Sequence, residues 1–263
     1  MNTKKNIALL CDYGLDDAIA TLYLFKNADK FGKIDILPIS GNFPLSQTFI
    51  NAKRLVFNAD ILPQNMRIID TAVLAQKGDS IPEIHGNDGM GDLLNPEYQE
   101  KLPVLEYEKW LEELDSSYII VSLGPCTVTS DILKKKGALP LVMMAGNINE
   151  PPNYNGYEFN HGVDTESFAE CVKYPHVSAT LDTCHCIKCD LNKITTNEKG
   201  LLGSFLQRYR DMSNSRNEKV CAVYDLTAIV YLIHPERFSV SQKTDKDGNQ
   251  ISVLEYISNA PII

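Results

Sequence analysis

The sequence is poor in positive charge. Its 25 Lys and Arg stand against 34 Asp and Glu, a net charge of −9. That balance argues against a nucleic-acid partner held through phosphates and against docking on an anionic membrane. No apolar run reaches the roughly 20 residues that span a bilayer. The N-terminal MNTKKNIALLCDYG carries two lysines and a short apolar run. That run meets Asp12 and lacks a small-residue cleavage site, so no signal peptide is read there. Seven cysteines are an odd number without a regular framework, which points to a reducing cytoplasm rather than a disulfide scaffold. There is no Gly-rich phosphate loop of the P-loop type and no Ser nucleophile elbow. Repeats, low-complexity segments and a dividing linker are also missing. What remains is an ordinary globular composition, 44% hydrophobic and 22% charged over 263 residues, read as a single domain over 1–263.

The most informative stretch is IALLCDYGLDDAIATLYL, residues 7–24. Ile7 to Cys11 form a short apolar run, read as a buried strand. The run stops at Asp12, turns through Tyr13-Gly14 and presents Asp16 and Asp17. Ala18, Ile19, Leu22 and Leu24 then follow a helical spacing. Three carboxylates thus gather at a strand's C-terminal edge and on the first turn of a helix, where open α/β sheets bind ligands. One reading is a capped, solvated helix start. The other is a site for a hard cation such as Ca²⁺ or Mg²⁺, which relieves the repulsion and prefers oxygen ligands.

Further along, strand and helix patterns alternate. Strands are predicted at Ile34–Ser40, Met66–Asp70, Tyr118–Leu123, Leu139–Met144, Val177–Leu181 and Gln250–Ile257, the last after an Asp247-Gly248 turn. Helices are predicted around Thr48–Val56, Val104–Leu114, up to Leu133, from Asp164 as N-cap, and over Leu201–Met212 and Ala222–Leu232. Trp110, the single Trp, is expected to pack within its helix. Leu74–Asn95, rich in Gly, Asp and Pro, reads as a functional loop. The alternation implies an α/β fold with a mainly parallel central sheet flanked by helices, open and Rossmann-like. Asp12, Asn42, Leu123-Gly124 and Asn147 all follow strand ends, so they share one edge of that sheet.

These residues carry a family resemblance. Leu10-Cys11-Asp12-Tyr13-Gly14-Leu15-Asp16-Asp17-Ala18 resembles the DTDPGxDDA pattern of the inosine-uridine type of nucleoside hydrolase. In the same order follow Gly41-Asn42, His85-Gly86-Asn87-Asp88-Gly89, Leu123-Gly124-Pro125-Cys126-Thr127, Glu158-Phe159-Asn160 with Asp164, Leu181-Asp182 and Tyr224-Asp225. Each match is short, and the ordered set is specific. The resemblance implies a nucleoside hydrolase fold, and a Ca²⁺ held by Asp12, Asp17, Asp225 and the backbone carbonyl of Leu123. Asp12 would be the general base. Asp16, Asn42, Glu158 and Asn160 would hold ribose, Met144 would join them in contacting the substrate, and His85 would meet the leaving base. Tyr224 would stand where some members carry a His that assists the leaving base. The implied activity is hydrolysis of a ribonucleoside's N-glycosidic bond to free base and ribose, by a homodimer or homotetramer. A non-catalytic ribose- or nucleoside-binding protein on the same scaffold is the alternative.

The chain departs from the family pattern at three positions. Leu10 replaces the first Asp of the motif, Tyr13 a Pro, and Tyr224 the His. A tyrosine's ordinary pKa of about 10 makes it a weak acid at neutral pH, so Tyr224 points to a base needing little protonation or an atypical one such as a modified purine. Asn147, Asn149, Asn153 and Asn155 compete for one more ribose contact. Cys184-His185-Cys186 with Cys189 offers zinc-ligand types, but without spaced pairs. It is read as buried or incidental thiols, with a zinc-stabilised structural protein as the remote third reading.

Overall fold

The run Ile7–Cys11 is apolar at every position because it is buried on both sides. A computed structural model describes residues 4–79, 81–194 and 196–263; Ser80, within the predicted loop, lies outside them. In it, β1 (Asn6–Cys11) turns Ile7, Leu9 and Cys11 to one face and Ala8 and Leu10 to the other. Such two-sided burial marks an interior strand of a parallel sheet. Among the described residues the sheet has nine strands. The first seven in sequence are β1, β2 (Ile34–Pro38), β3 (Met66–Asp70), β4 (Val104–Glu106), β5 (Tyr118–Ser122), β6 (Leu141–Met144) and β7 (His176–Ala179). A C-terminal hairpin, β8 (Phe238–Thr244) and β9 (Gln250–Tyr256), completes it. Their order is β4-β3-β2-β1-β5-β6-β7-β9-β8, all parallel except the hairpin.

The order reverses at β1. The chain runs from β1 outward through β2 to one edge, then returns to β5 on β1's other side. The crevice beyond β1's C-terminus is therefore the expected ligand site. Helices α1 (Leu15–Lys26), α2 (Leu45–Asn58), α9 (Gly200–Ser215) and α10 (Tyr224–Ile233) pack on the Leu9 face. Helices α4 (Tyr107–Glu113), α5 (Thr127–Lys136) and α7 (Thr165–Cys171) pack on the Leu10 face. Three short helices, α3 (Pro82–His85), α6 (Phe159–Val163) and α8 (Leu181–Cys184), lie in the connections. Among the described residues no helix is long and apolar enough to cross a membrane.

Several elements differ from the sequence reading. Val104–Glu106 forms an edge strand, and the helix predicted from Val104 starts at Tyr107. The residues it pairs with belong to β3, a long-range partner that local pattern does not reveal. Strand β8 was not foreseen: its alternating, mostly exposed sequence carries little apolar signal. The strand predicted to Leu181 ends at Ala179, and Asp182 sits on the first turn of α8. Trp110 is buried as expected. Its indole N–H donates to Asp35 Oδ2 at 2.8 Å, beside the Tyr118 hydroxyl and a two-pronged Arg67 guanidinium. The loop over 74–95 is tied down rather than free. Asn51 Nδ2 donates to the Asp88 carbonyl at 2.8 Å, and Arg54 meets the Asp88 carboxylate at 3.1 Å.

Candidate active site

The site is built outward from the end of β1. Asp12 is the first residue past the strand and is 1% exposed. Its Oδ2 accepts the Asn42 backbone N–H at 2.7 Å, and its Oδ1 has no partner. Gly41 and Gly124 close on the carboxylate from either side. A Cβ at Gly41 would run into Asp12 Oδ2, and one at Gly124 would stand 2.9 Å from its Cγ. These glycines are needed for the close approach itself. Tyr13 takes the left-handed turn (φ 41°) that swings the chain into α1. Asp17 then folds back: its Oδ2 accepts Gly14 N–H at 2.8 Å, and Asn42 Nδ2 reaches the same oxygen at 3.4 Å. Asp225, on the first turn of α10, brings a carboxylate oxygen within 4.8 Å of those of Asp16 and Asp17.

This is a costly arrangement unless something positive joins it. Burial raises the Asp12 carboxyl to about 7 against the pull of the Asn42 N–H. Burial and neighbouring carboxylates push Asp17 and Asp225 well above the usual range. One oxygen each of Asp12, Asp16 and Asp17 is buried without a hydrogen-bond partner. Orphaned oxygens from hard, acidic donors fit a divalent cation that takes oxygen ligands.

Above these acids opens a cavity of about 430 Å³. Its lining includes every predicted substrate contact: Asp16, Asn42, His85, Met144, Glu158 and Asn160. Leu123, Tyr224 and Asp225 line it too, while Asp12 and Asp17 are buried and outside its lining. Glu158 caps α6, accepting N–H groups from Gly146, Asn160 and His161 at 2.8 to 3.0 Å. Burial still raises its carboxyl to about 7. Asn160 Nδ2 donates to the Leu123 carbonyl at 3.0 Å and the Met144 carbonyl at 2.9 Å. Its amide nitrogen is thus committed to joining β5 and β6, leaving Oδ1 to face a ligand.

His85, carried by α3, is buried and not a surface residue. Its Nδ1 accepts the Leu15 N–H at 3.1 Å, which fixes the hydrogen on Nε2. Burial lowers its pKa, so the ring is neutral. Tyr224 opens α10 with its hydroxyl 3.1 Å from His185 Nε2, and burial raises its pKa.

A family profile described as inosine-uridine preferring nucleoside hydrolase matches residues 7–255. The chain belongs to this family. Its members hydrolyse the N-glycosidic bonds of nucleosides. Solved structures with the same fold include a plant nucleoside hydrolase, 18% identical, with a TM-score of 0.71 over 97% of this chain and 88% of that one. A purine-preferring ribonucleoside hydrolase from Gardnerella vaginalis is 17% identical, with a TM-score of 0.69 over 97% and 93%. An inosine-guanosine nucleoside hydrolase is 20% identical, with a TM-score of 0.67 over 97% and 88%. No curated protein sequence matches the chain significantly.

Within this nucleoside hydrolase fold, the departures acquire reasons. Leu10 is fully buried in the same apolar cluster as Leu37, Ile39 and Ile120, so it belongs to the core. Of the four competing asparagines, Asn153 lines the cavity. Asn147 is engaged locally, accepting Glu158 N–H and donating to the Glu150 carbonyl. Asp182 holds the same loop, accepting N–H groups from Ile148 and Asn149 at 2.7 and 2.8 Å. The sequence reading missed the aromatic wall of Tyr154, Phe159 and Tyr209. Aromatic residues inside the polar run Asn153–Phe159 were the available signal; Tyr209 carried none, being one apolar position of a long helix. The cysteine cluster does not converge. Cys184 Sγ faces the Tyr224 carbonyl, Cys186 and Cys189 lie 3.1 Å apart as free thiols, and His185 meets the Tyr224 hydroxyl.

Proposed function

We propose that the chain is a Ca²⁺-dependent hydrolase that cleaves the N-glycosidic bond of a ribonucleoside, releasing free base and ribose. The observation that carries this is the grouping of Asp16, Asp17 and Asp225 within reach of one ion, with Asp12 beside them and three orphaned oxygens, at a cavity lined by the residues the resemblance assigns to ribose. Asp12, Asp17, Asp225 and the Leu123 carbonyl would hold the cation. When bound, the cation supplies an electrophile that orients the ribose hydroxyls and makes a nearby water more acidic.

The chain's own groups do the rest. Asp12 Oδ2 is pinned by Asn42, so Oδ1 is the oxygen available to take a proton from the attacking water. Asp16, Asn42, Asn160 and Glu158 hold the sugar through hydrogen bonds, and Met144 packs against it. Cleavage develops positive charge on the sugar ring, which the buried carboxylates stabilise in a water-poor site. His85, neutral and with its hydrogen on Nε2, offers a donor to the base. Tyr154, Phe159 and Tyr209 give the base apolar faces. Seven free cysteines fit a reducing cytoplasm, and a homodimer or homotetramer completes the reading.

The test is a panel of purine, pyrimidine and modified purine ribonucleosides, assayed for free ribose with Ca²⁺ present. At least one turns over, and Asp12→Asn lowers its kcat by about 10³-fold or more. Undiminished turnover by the variant removes the assignment of Asp12. Tight binding of a nucleoside without ribose release would instead favour the binding-protein alternative.

A further inference from the structure

The Tyr224 hydroxyl is the best placed donor on α10 for a leaving base, but its own chemistry is against it. A phenol, with an ordinary pKa of about 10, is a weak acid at neutral pH. A proton given up by Tyr224 alone would leave a tyrosinate behind. Two contacts lead away from its hydroxyl. His185 Nε2 lies 3.1 Å from the Tyr224 hydroxyl, and His185 Nδ1 lies 3.0 Å from Glu150 Oε2. The two rings meet edge-on, with centroids 5.7 Å apart at 61°.

The chain fixes this line of groups from both ends. His185 follows directly on α8, and its backbone N–H bonds back to the Leu181 carbonyl at 2.8 Å. Asp182, on the same short helix, accepts the backbone N–H groups of Ile148, Asn149 and Glu150. Asn147 Nδ2 adds a bond to the Glu150 carbonyl at 2.9 Å. One turn of helix therefore positions both the imidazole and the carboxylate it faces. His185 keeps 23% of its side chain exposed, so it can exchange protons with solvent.

We propose that Glu150, His185 and Tyr224 form a proton relay to the leaving base, with Tyr224 handing over the proton and His185 replacing it. This rests on the hydrolase reading above. The hydrogen-bond logic is strict. A neutral His185 that donates Nδ1–H to Glu150 has only a lone pair at Nε2, which takes the Tyr224 O–H and leaves the cavity facing phenolic lone pairs. A protonated His185 donates Nε2–H to the Tyr224 oxygen, and the tyrosine's own O–H turns to the cavity.

As the bond from ribose C1′ to the base nitrogen breaks, its electron pair stays on the base. A base nitrogen takes the Tyr224 proton, and the Tyr224 oxygen takes the His185 Nε2 proton. His185 ends neutral, with Nδ1–H still on the Glu150 carboxylate. Tyrosine is neutral before and after, and solvent reprotonates the imidazole. Tyr224 touches the base. His185 and Glu150 act through it as positioning residues.

The experiment compares two leaving groups. Wild type, His185→Asn and Glu150→Gln are assayed on the ribonucleoside turned over fastest and on p-nitrophenyl β-D-ribofuranoside, whose phenolate departs without a proton. The ratio of the two kcat values is the readout. His185→Asn lowers that ratio about 100-fold, within the usual span for a lost proton donor, and the nucleoside KM stays within about 3-fold. Glu150→Gln, at a more exposed position, lowers the ratio about 10-fold. An unchanged ratio in both variants overturns the relay, whether overall activity holds or collapses. A wild type that splits the nitrophenyl riboside but no nucleoside overturns it too. A wild type that splits neither removes the hydrolase reading itself, which separates the two failures.

Discussion

The backbone N–H of Asn42 donates to Asp12 Oδ2 at 2.7 Å, joining the turn after β2 to the end of β1. One carboxylate oxygen is thereby held, and the other has no hydrogen-bond partner. The hydrogen bond exists because Gly41 and Gly124 let two backbones crowd the carboxylate. Gly41→Ala should displace Asp12 while leaving the sheet intact. A misplacement of about 1 Å costs on the order of 100-fold in rate. Circular dichroism and ribose release, measured on the same preparation, check that activity falls and the fold stays.

Stability should depend on pH in an unusual direction. Asp12 and Glu158 both titrate near 7 in the folded chain because they are buried, against about 4 when unfolded. The folded state binds these protons more tightly, so their contribution is full below the unfolded pKa and is lost as pH rises through the folded value. The raised Asp17 and Asp225 act in the same sense. Metal-free protein should therefore melt at a higher temperature at pH 5 than at pH 8. Added Ca²⁺ should stabilise more at pH 8, where the carboxylates are ionised. A melting temperature that rises from pH 5 to pH 8 without metal would count against the buried cluster.

Asp35 separates structure from function. It is fully buried at the opposite end of the sheet and gathers Arg67, Trp110 and Tyr118. Asp35→Ala takes the acceptor from four donor groups, Arg67 Nε and Nη2, Trp110 Nε1 and the Tyr118 hydroxyl, and leaves Arg67 only the more exposed Glu113. The expected loss is about 3 to 5 kcal/mol by urea denaturation, with the KM of the surviving folded enzyme unchanged.

The sequence carried the central strand, the acids and the edge they share, because each is a local pattern: two-sided apolar runs, a turn, then carboxylates. Asn42, Glu158 and Asn160, singled out by the family resemblance and not by local pattern, line the cavity. What stayed hidden depends on partners distant in the chain. Val104–Glu106 is a strand only because β3 offers an edge. Asn160 spends its amide nitrogen on two strand ends that no spacing predicts. His185 looked incidental because its neighbours are cysteines, while its hydrogen-bond partners lie 35 and 39 residues away.

Each of these readings depends on the acids at the end of β1 acting as one cation-bound catalytic unit. The most direct measurement is ribose release from the best nucleoside before chelation, after chelation, and after Ca²⁺ is returned. The account predicts activity that disappears with chelation and returns with Ca²⁺ in the wild type, and that Ca²⁺ does not restore in Asp225→Asn. Full ribose release in the presence of chelator would contradict it.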